Sequence, residues 1–146
     1  MPLRAVFDTN ALLSGLLYRG RPHLCLRMAS EGLVRSVTCE YILAELREKL
    51  IERFGFDTAH ADAAATMIRH FSDCVAVSEP VAATCRDPGD NHVIACAAQG
   101  QADLIVTGDK DILVLSPLRV QSAVVQTRVI EVVTPAQFLA LLPGRL

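Results

Sequence analysis

The sequence predicts an α/β fold: a parallel sheet covered by helices on both faces. Three observations predict it. Helical and strand-like segments alternate along the chain. The strand-like segments, such as Ala5-Val6-Phe7 and Leu104-Ile105-Val106, are apolar on both faces, as strands buried on both sides must be. No internal repeat, low-complexity tract or linker divides the 146 residues, a length that suits one domain spanning 1–146. Right-handed crossovers then bring the carboxyl ends of the parallel strands to one edge of the sheet.

The elements follow in order. Residues 3–7 read as a strand that stops on Asp8. "NALLSGLL" is a short helix, broken by Gly20 and Pro22 in "YRGRP". Pro22 opens a second helix that runs to about Ser30 and stops before Gly32. "LVRSVT" is a short strand. From Glu40 to Phe54 the pattern is helical, with Ile42, Leu43, Leu46 and Leu50 on one stripe and Gly55 as terminator. Residues 57–72 form another helix, with Ala61, Ala64, Ala65 and Ile68 facing inward. "CVAVS" is a strand candidate. "DPGDNHVIACAAQGQ" is a turn and then a helix ended by Gly100. "DLIVTGD" is a strand ending in polar residues, and "KDILVL" holds a turn or two of helix. "RVIEVV" is a late strand. "TPAQFLALL" is a final helix capped by Thr134, with Pro135 in its first turn.

Composition bounds the class. The chain is 51% hydrophobic and 21% charged, which is globular rather than disordered. No apolar run approaches the ~20 residues that cross a bilayer. A strand and Asp8 come too early for a signal peptide, so a cytoplasmic protein without membrane contact is expected. The five cysteines have no C-x-x-C spacing and sit mostly among apolar neighbours. They read as small buried hydrophobes in a reducing compartment, not as zinc ligands. A net charge of −2 neither announces nor excludes a nucleic-acid partner.

The carboxyl edge of the sheet collects acids. Asp8 ends the first strand, Asp109 ends "LIVTG", and Asp111 follows. Asp87 and Asp90 lie in "RDPGDN" at a helix start, and Glu45 lies in "EYILAELREKL". Clustered carboxylates repel and raise one another's pKa, a cost a bound cation offsets. Oxygen donors without cysteine or clustered histidine select Mg²⁺ or Mn²⁺. Each acid also has an ordinary structural use. Asp8 and Asp90 suit helix caps, "DPGD" and "GDKD" suit turns, and Glu45 suits an i,i+4 pair with Lys49.

"VFDTN", "ILAELREKL", "DPGDNHVIACAAQGQADLIVTGDKDIL" and "TPAQFLALL" occur in the order and spacing of PIN domains, and most resemble those of toxin–antitoxin pairs. The resemblance covers essentially the whole chain. It implies a three-layer α/β/α fold with a central parallel sheet of about five strands. It also implies a Mg²⁺- or Mn²⁺-dependent endoribonuclease. Carried over by motif, Asp8, Glu45, Asp90 and Asp109 form the acidic quartet. Asp8, Asp90 and Asp109 would hold the metal, with Glu45 at a second metal or orienting water. Asp87 and Asp111 are further acids of the subgroup. Asn10 and Thr107 match polar positions that orient the aspartates. Arg19, Arg21 and Lys110 are candidates for substrate contact. The implied partners are RNA, a cognate antitoxin and a second copy of the chain.

The competing readings are a non-catalytic PIN scaffold that binds RNA or protein, a DNA nuclease, and a Mg²⁺-dependent phosphatase. A scaffold would typically have lost an acid, and none of the quartet is missing. A haloacid-dehalogenase-like phosphatase would show a second aspartate where Asn10 stands. A receiver-like phosphoryl acceptor would not place its lysine directly after an aspartate, as Lys110 is.

Overall fold

The computed structural model describes residues 2–77, 88–120 and 128–142. Its strands are β1 (Arg4–Phe7), β2 (Arg35–Thr38), β3 (Ser72–Cys74), β4 (Leu104–Val106), β5 (Leu118–Val120) and β6 (Arg128–Val133). Its helices are α1 (Thr9–Leu17), α2 (Arg21–Ser30), α3 (Glu40–Phe54), α4 (Thr58–His70), α5 (Pro88–Gln99), α6 (Lys110–Leu113) and α7 (Pro135–Leu141).

The strands form one six-stranded sheet in the order β3-β2-β1-β4-β6-β5. The pairs β1–β2, β1–β4, β2–β3 and β4–β6 are parallel. Only β5 runs antiparallel, along β6 at the edge. Helices flank the sheet, giving the α/β/α arrangement the sequence predicts. α5 packs across β1, β2, β4 and β6, while α1, α2, α3, α4 and α7 adjoin one another. Alternation along the strands feeds both layers. Phe7 meets Phe138 of α7 edge-on, with ring centroids 5.9 Å apart. Val37 faces the other way and lies against Gly100 at the end of α5, where a Cβ would come within 2.4 Å of it.

Two strand assignments change. The third strand is Ser72–Cys74, which shares only Cys74 with the expected "CVAVS", whose Ser78 lies outside the described residues, and the helix before it ends at His70 rather than at residue 72. Pairing decides this: Ser36, Val37 and Thr38 of β2 register with Ser72, Asp73 and Cys74. The buried Ser72 hydroxyl donates to Ser36 Oγ at 2.7 Å. The second change is β5, a three-residue edge strand too short to stand out in the sequence.

The amino ends of the strands carry a charge ladder. Arg4 and Arg35 both pair with Asp73. The Arg4 guanidinium also donates to Gly100 O at 2.8 and 3.0 Å. Asp103 accepts from the Arg4 backbone N–H at 2.9 Å and pairs with Arg128 at 3.0 Å. This ties β1, β2, β3, β6 and the α5–β4 turn together at the edge opposite the acids. Among the described residues, no helix is long and apolar enough to cross a membrane. Cys25, Cys39 and Cys96 are buried, whereas Cys74 is exposed. Cys85 lies outside the described residues.

Candidate active site

The strand order creates a crevice. From β1 the chain builds outward through β2 and β3, then returns to place β4 on the other side of β1. Connections leave in opposite directions at this junction, and open α/β sheets bind ligands there, beyond the strands' carboxyl ends. The residues just past β1 and β4 are Asp8 and Thr107-Gly108-Asp109.

Asp8 is 5% exposed and Thr107 is fully buried. The Asp8 side chain caps α1, with Oδ1 accepting from Ala11 N–H at 2.8 Å. Its other oxygen, Oδ2, accepts from the Thr107 hydroxyl, and Thr107 Oγ1 in turn accepts from Asp109 N–H at 2.9 Å. One hydroxyl thus links the two strand ends. Burial raises the Asp8 pKa above the ordinary carboxylate value, and the charge of Asp109 adds to the rise. The hydrogen bonds from Thr107 and Ala11 and the charge of Lys49 oppose it. A buried carboxylate beside a second acid is a place where a cation is stabilising.

Asp109 caps the short α6, its Oδ1 accepting from Asp111 N–H at 2.8 Å. The Asp111 and Lys110 side chains are exposed. Glu45 is half-buried on α3, and its Oε1 accepts from the hydroxyl of Thr9, the residue after Asp8. This contact, rather than a pair with Lys49, fixes Glu45 beside the end of β1. Asn10 is exposed in the first turn of α1, and the bonds that orient Asp8 come from Ala11 and Thr107. Asp90 falls in the first turn of α5, but its side chain lies outside the described residues, as does Asp87. Arg19 and Arg21 are exposed around the start of α2. Among the described residues, no group of three or more His, Cys, Asp or Glu is arranged to hold a metal.

A cleft of about 290 Å³ opens beside Glu45, lined also by Tyr41, Ala44, Glu48 and Lys49. The Tyr41 ring stacks on His92 of α5. Sequence reasoning left Tyr41 without a role, gave Lys49 only an ordinary pair with Glu45, and set Thr9 beside Asp8 without its bond to Glu45. Tyr41, Glu45 and Lys49 recur every four residues, the spacing of one helical face, and that was the available signal.

A family model described as a PIN domain matches residues 4–111. No curated protein matches the chain.

Proposed function

The chain belongs to the PIN-domain family, whose members are generally nucleases, and on that premise we propose that it is a metal-dependent endoribonuclease acting at the crevice between β1 and β4. The observation that carries the reading is Asp8: a buried carboxylate at the crevice, whose pKa burial raises and the charge of Asp109 raises further. The donors fit a hard divalent cation, since the acids around the crevice offer oxygen alone. Asp8 and Asp109 would hold Mg²⁺ or Mn²⁺, with Asp90 completing the set from the first turn of α5 and Glu45 at its margin. Such an ion supplies Lewis-acid stabilisation of phosphate charge and lowers the pKa of water.

The chain's own groups do the positioning. Thr107 keeps Asp8 turned into the crevice while its backbone follows β4. Thr9 holds Glu45 toward the same point, where its free oxygen can orient a water or take up its proton. Capping fixes the carboxylates of Asp8 and Asp109 before substrate arrives, so little reorganisation is left to the reaction. Lys110 beside Asp109, and Arg19 and Arg21, are candidates for phosphate contact. The likeness of the four sequence segments to toxin subunits supports a further step: the protein is the toxin of a type II pair, held by an antitoxin and assembled as a homodimer.

The test is end-labelled RNA incubated with the purified protein. We expect cleavage in Mg²⁺ or Mn²⁺, none in EDTA, and loss of at least a hundredfold in Asp109→Asn. The products should carry 5′-phosphate and 3′-hydroxyl ends, because no paired histidines are present to drive attack by the 2′-hydroxyl. Cyclic-phosphate ends formed in EDTA would overturn the mechanism. RNA binding without any cleavage would point to a scaffold, and cleavage of DNA alone to a DNA nuclease.

A further inference from the structure

Tyr41 and His92 lie 51 residues apart in sequence, on α3 and α5, yet their rings stack with centroids 3.6 Å apart and planes 8° apart. The pair is outside the core: Tyr41 is 39% exposed and His92 is exposed. It is also at the rim of the candidate site. Tyr41 is one helical turn before Glu45, and both line the same cleft with Lys49. His92 is two residues after Asp90 in α5. The two helices that contribute acids therefore also contribute one ring each to an aromatic stack beside them, whose Tyr41 ring lines the cleft.

A flat π-surface at the mouth of an acidic cleft selects a ligand with a flat π-face of its own. An unpaired nucleobase has one, whereas a duplex hides the faces of its bases in its own stack. Stacking tolerates any base, and aromatic platforms of this kind are how single strands are gripped without reading sequence. The cation of Lys49 lies on the far side of Glu45 along the same helix face, within reach of a backbone running through the cleft.

We propose that Tyr41, backed by His92, forms a stacking platform that positions an unpaired base of the substrate strand at this cleft. The proposal rests on the nuclease reading above and assigns two positioning residues to it. Neither ring touches the reacting bond. The pair positions the strand, and its loss is felt in binding.

The experiment uses the full chain and single-stranded oligoribonucleotides in Mn²⁺. Tyr41→Ala and His92→Ala should each raise KM about tenfold while kcat stays within about twofold. Tyr41→Phe, which keeps the ring, should keep the wild-type KM. Abasic substitutions scanned around the cut should include one that weakens wild type as much as Tyr41→Ala does, and that costs Tyr41→Ala nothing more. The chain has no tryptophan, so Tyr41→Trp adds a single fluorophore. Its emission should be quenched by a single-stranded oligonucleotide and not by a duplex. Unchanged KM in both alanine variants, or a fall in kcat with KM unchanged, would overturn the platform while leaving cleavage intact. If wild type cleaves nothing, the Trp readout in EDTA still decides: quenching upholds the platform as the nuclease reading falls, and no quenching sinks both.

Discussion

One oxygen of Asp8 closes the first turn of α1 and the other holds the Thr107 hydroxyl, so the side chain is fixed with or without a ligand. Its charge is nevertheless poorly tolerated, because burial and Asp109 together outweigh those bonds. The direction of the linkage follows. Below about pH 3.9 the carboxyl is protonated in the unfolded chain as well, and no penalty exists. As pH rises from there through the raised pKa of the folded state, stability is lost. Asp8→Asn keeps the shape and the cap and removes the charge. It should melt several degrees above metal-free wild type at pH 7, match it near pH 3, and cleave no RNA. Mn²⁺ should raise the melting temperature of wild type and leave that of Asp8→Asn nearly unchanged. Circular dichroism melts in EDTA and in Mn²⁺ between pH 3 and 8 check this. An Asp8→Asn protein less stable than wild type at pH 7 would contradict the assigned electrostatics.

Elements meet through charge at the other edge of the sheet. The Arg35 guanidinium, with that of Arg4, holds the Asp73 carboxyl down to about 2. This shift has the opposite sign to that of Asp8. The clamp is present above the unfolded pKa, near 3.9, and is lost as pH falls toward 2. Asp73 is about a third exposed, so solvent screening limits the contribution to roughly 1 kcal/mol. Asp73→Asn should therefore lower stability by about that amount at pH 7, and the gap should close by pH 2. Urea melts at the two pH values measure it, and a gap that persists at pH 2 would assign the effect to packing instead. The same clamp explains which elements were legible in the sequence. The helices from Glu40 to Phe54 and from Pro135 onward have apolar stripes or caps of their own, and they stand where periodicity put them. β3 does not advertise itself, because "SDC" is polar and becomes a strand through its partners on β2 and β1. "CVAVS" has the better strand pattern and loses to those contacts. The site divides in the same way. Strand-end acids were visible because apolar runs stop on them. The Thr9–Glu45 bond and the Tyr41–His92 stack join residues 36 and 51 positions apart, and only the packing of helices brings them together.

For the whole molecule, the two edges of one sheet divide the labour. Charges at the amino ends are paired across strands, whereas Asp8 and Asp109 at the carboxyl ends stand side by side with like charge. The toxin proposal is tested at this scale, in a growing cell. Expressed without any antitoxin, wild type should arrest growth, and Glu45→Gln at equal protein level should not. Equal, harmless growth of both would assign the protein another role. Growth curves with immunoblots of protein level are sufficient.

The sheet order also bears on the time at which such an activity arises. β1 is made first but ends up central, and it keeps one edge open until Leu104–Val106 arrive to pair with it. The Thr107 hydroxyl that holds Asp8 comes 99 residues after it. A ribosome that has delivered Asp8, Glu45 and Asp90 has still not delivered the strand that closes the crevice. Domains consolidate as units when their last core strands emerge, and β6 must follow to cover β4. On the proposed reading, a nascent chain that has not yet delivered β4 and β6 has no closed crevice at which to cut RNA, the message being read to make it included.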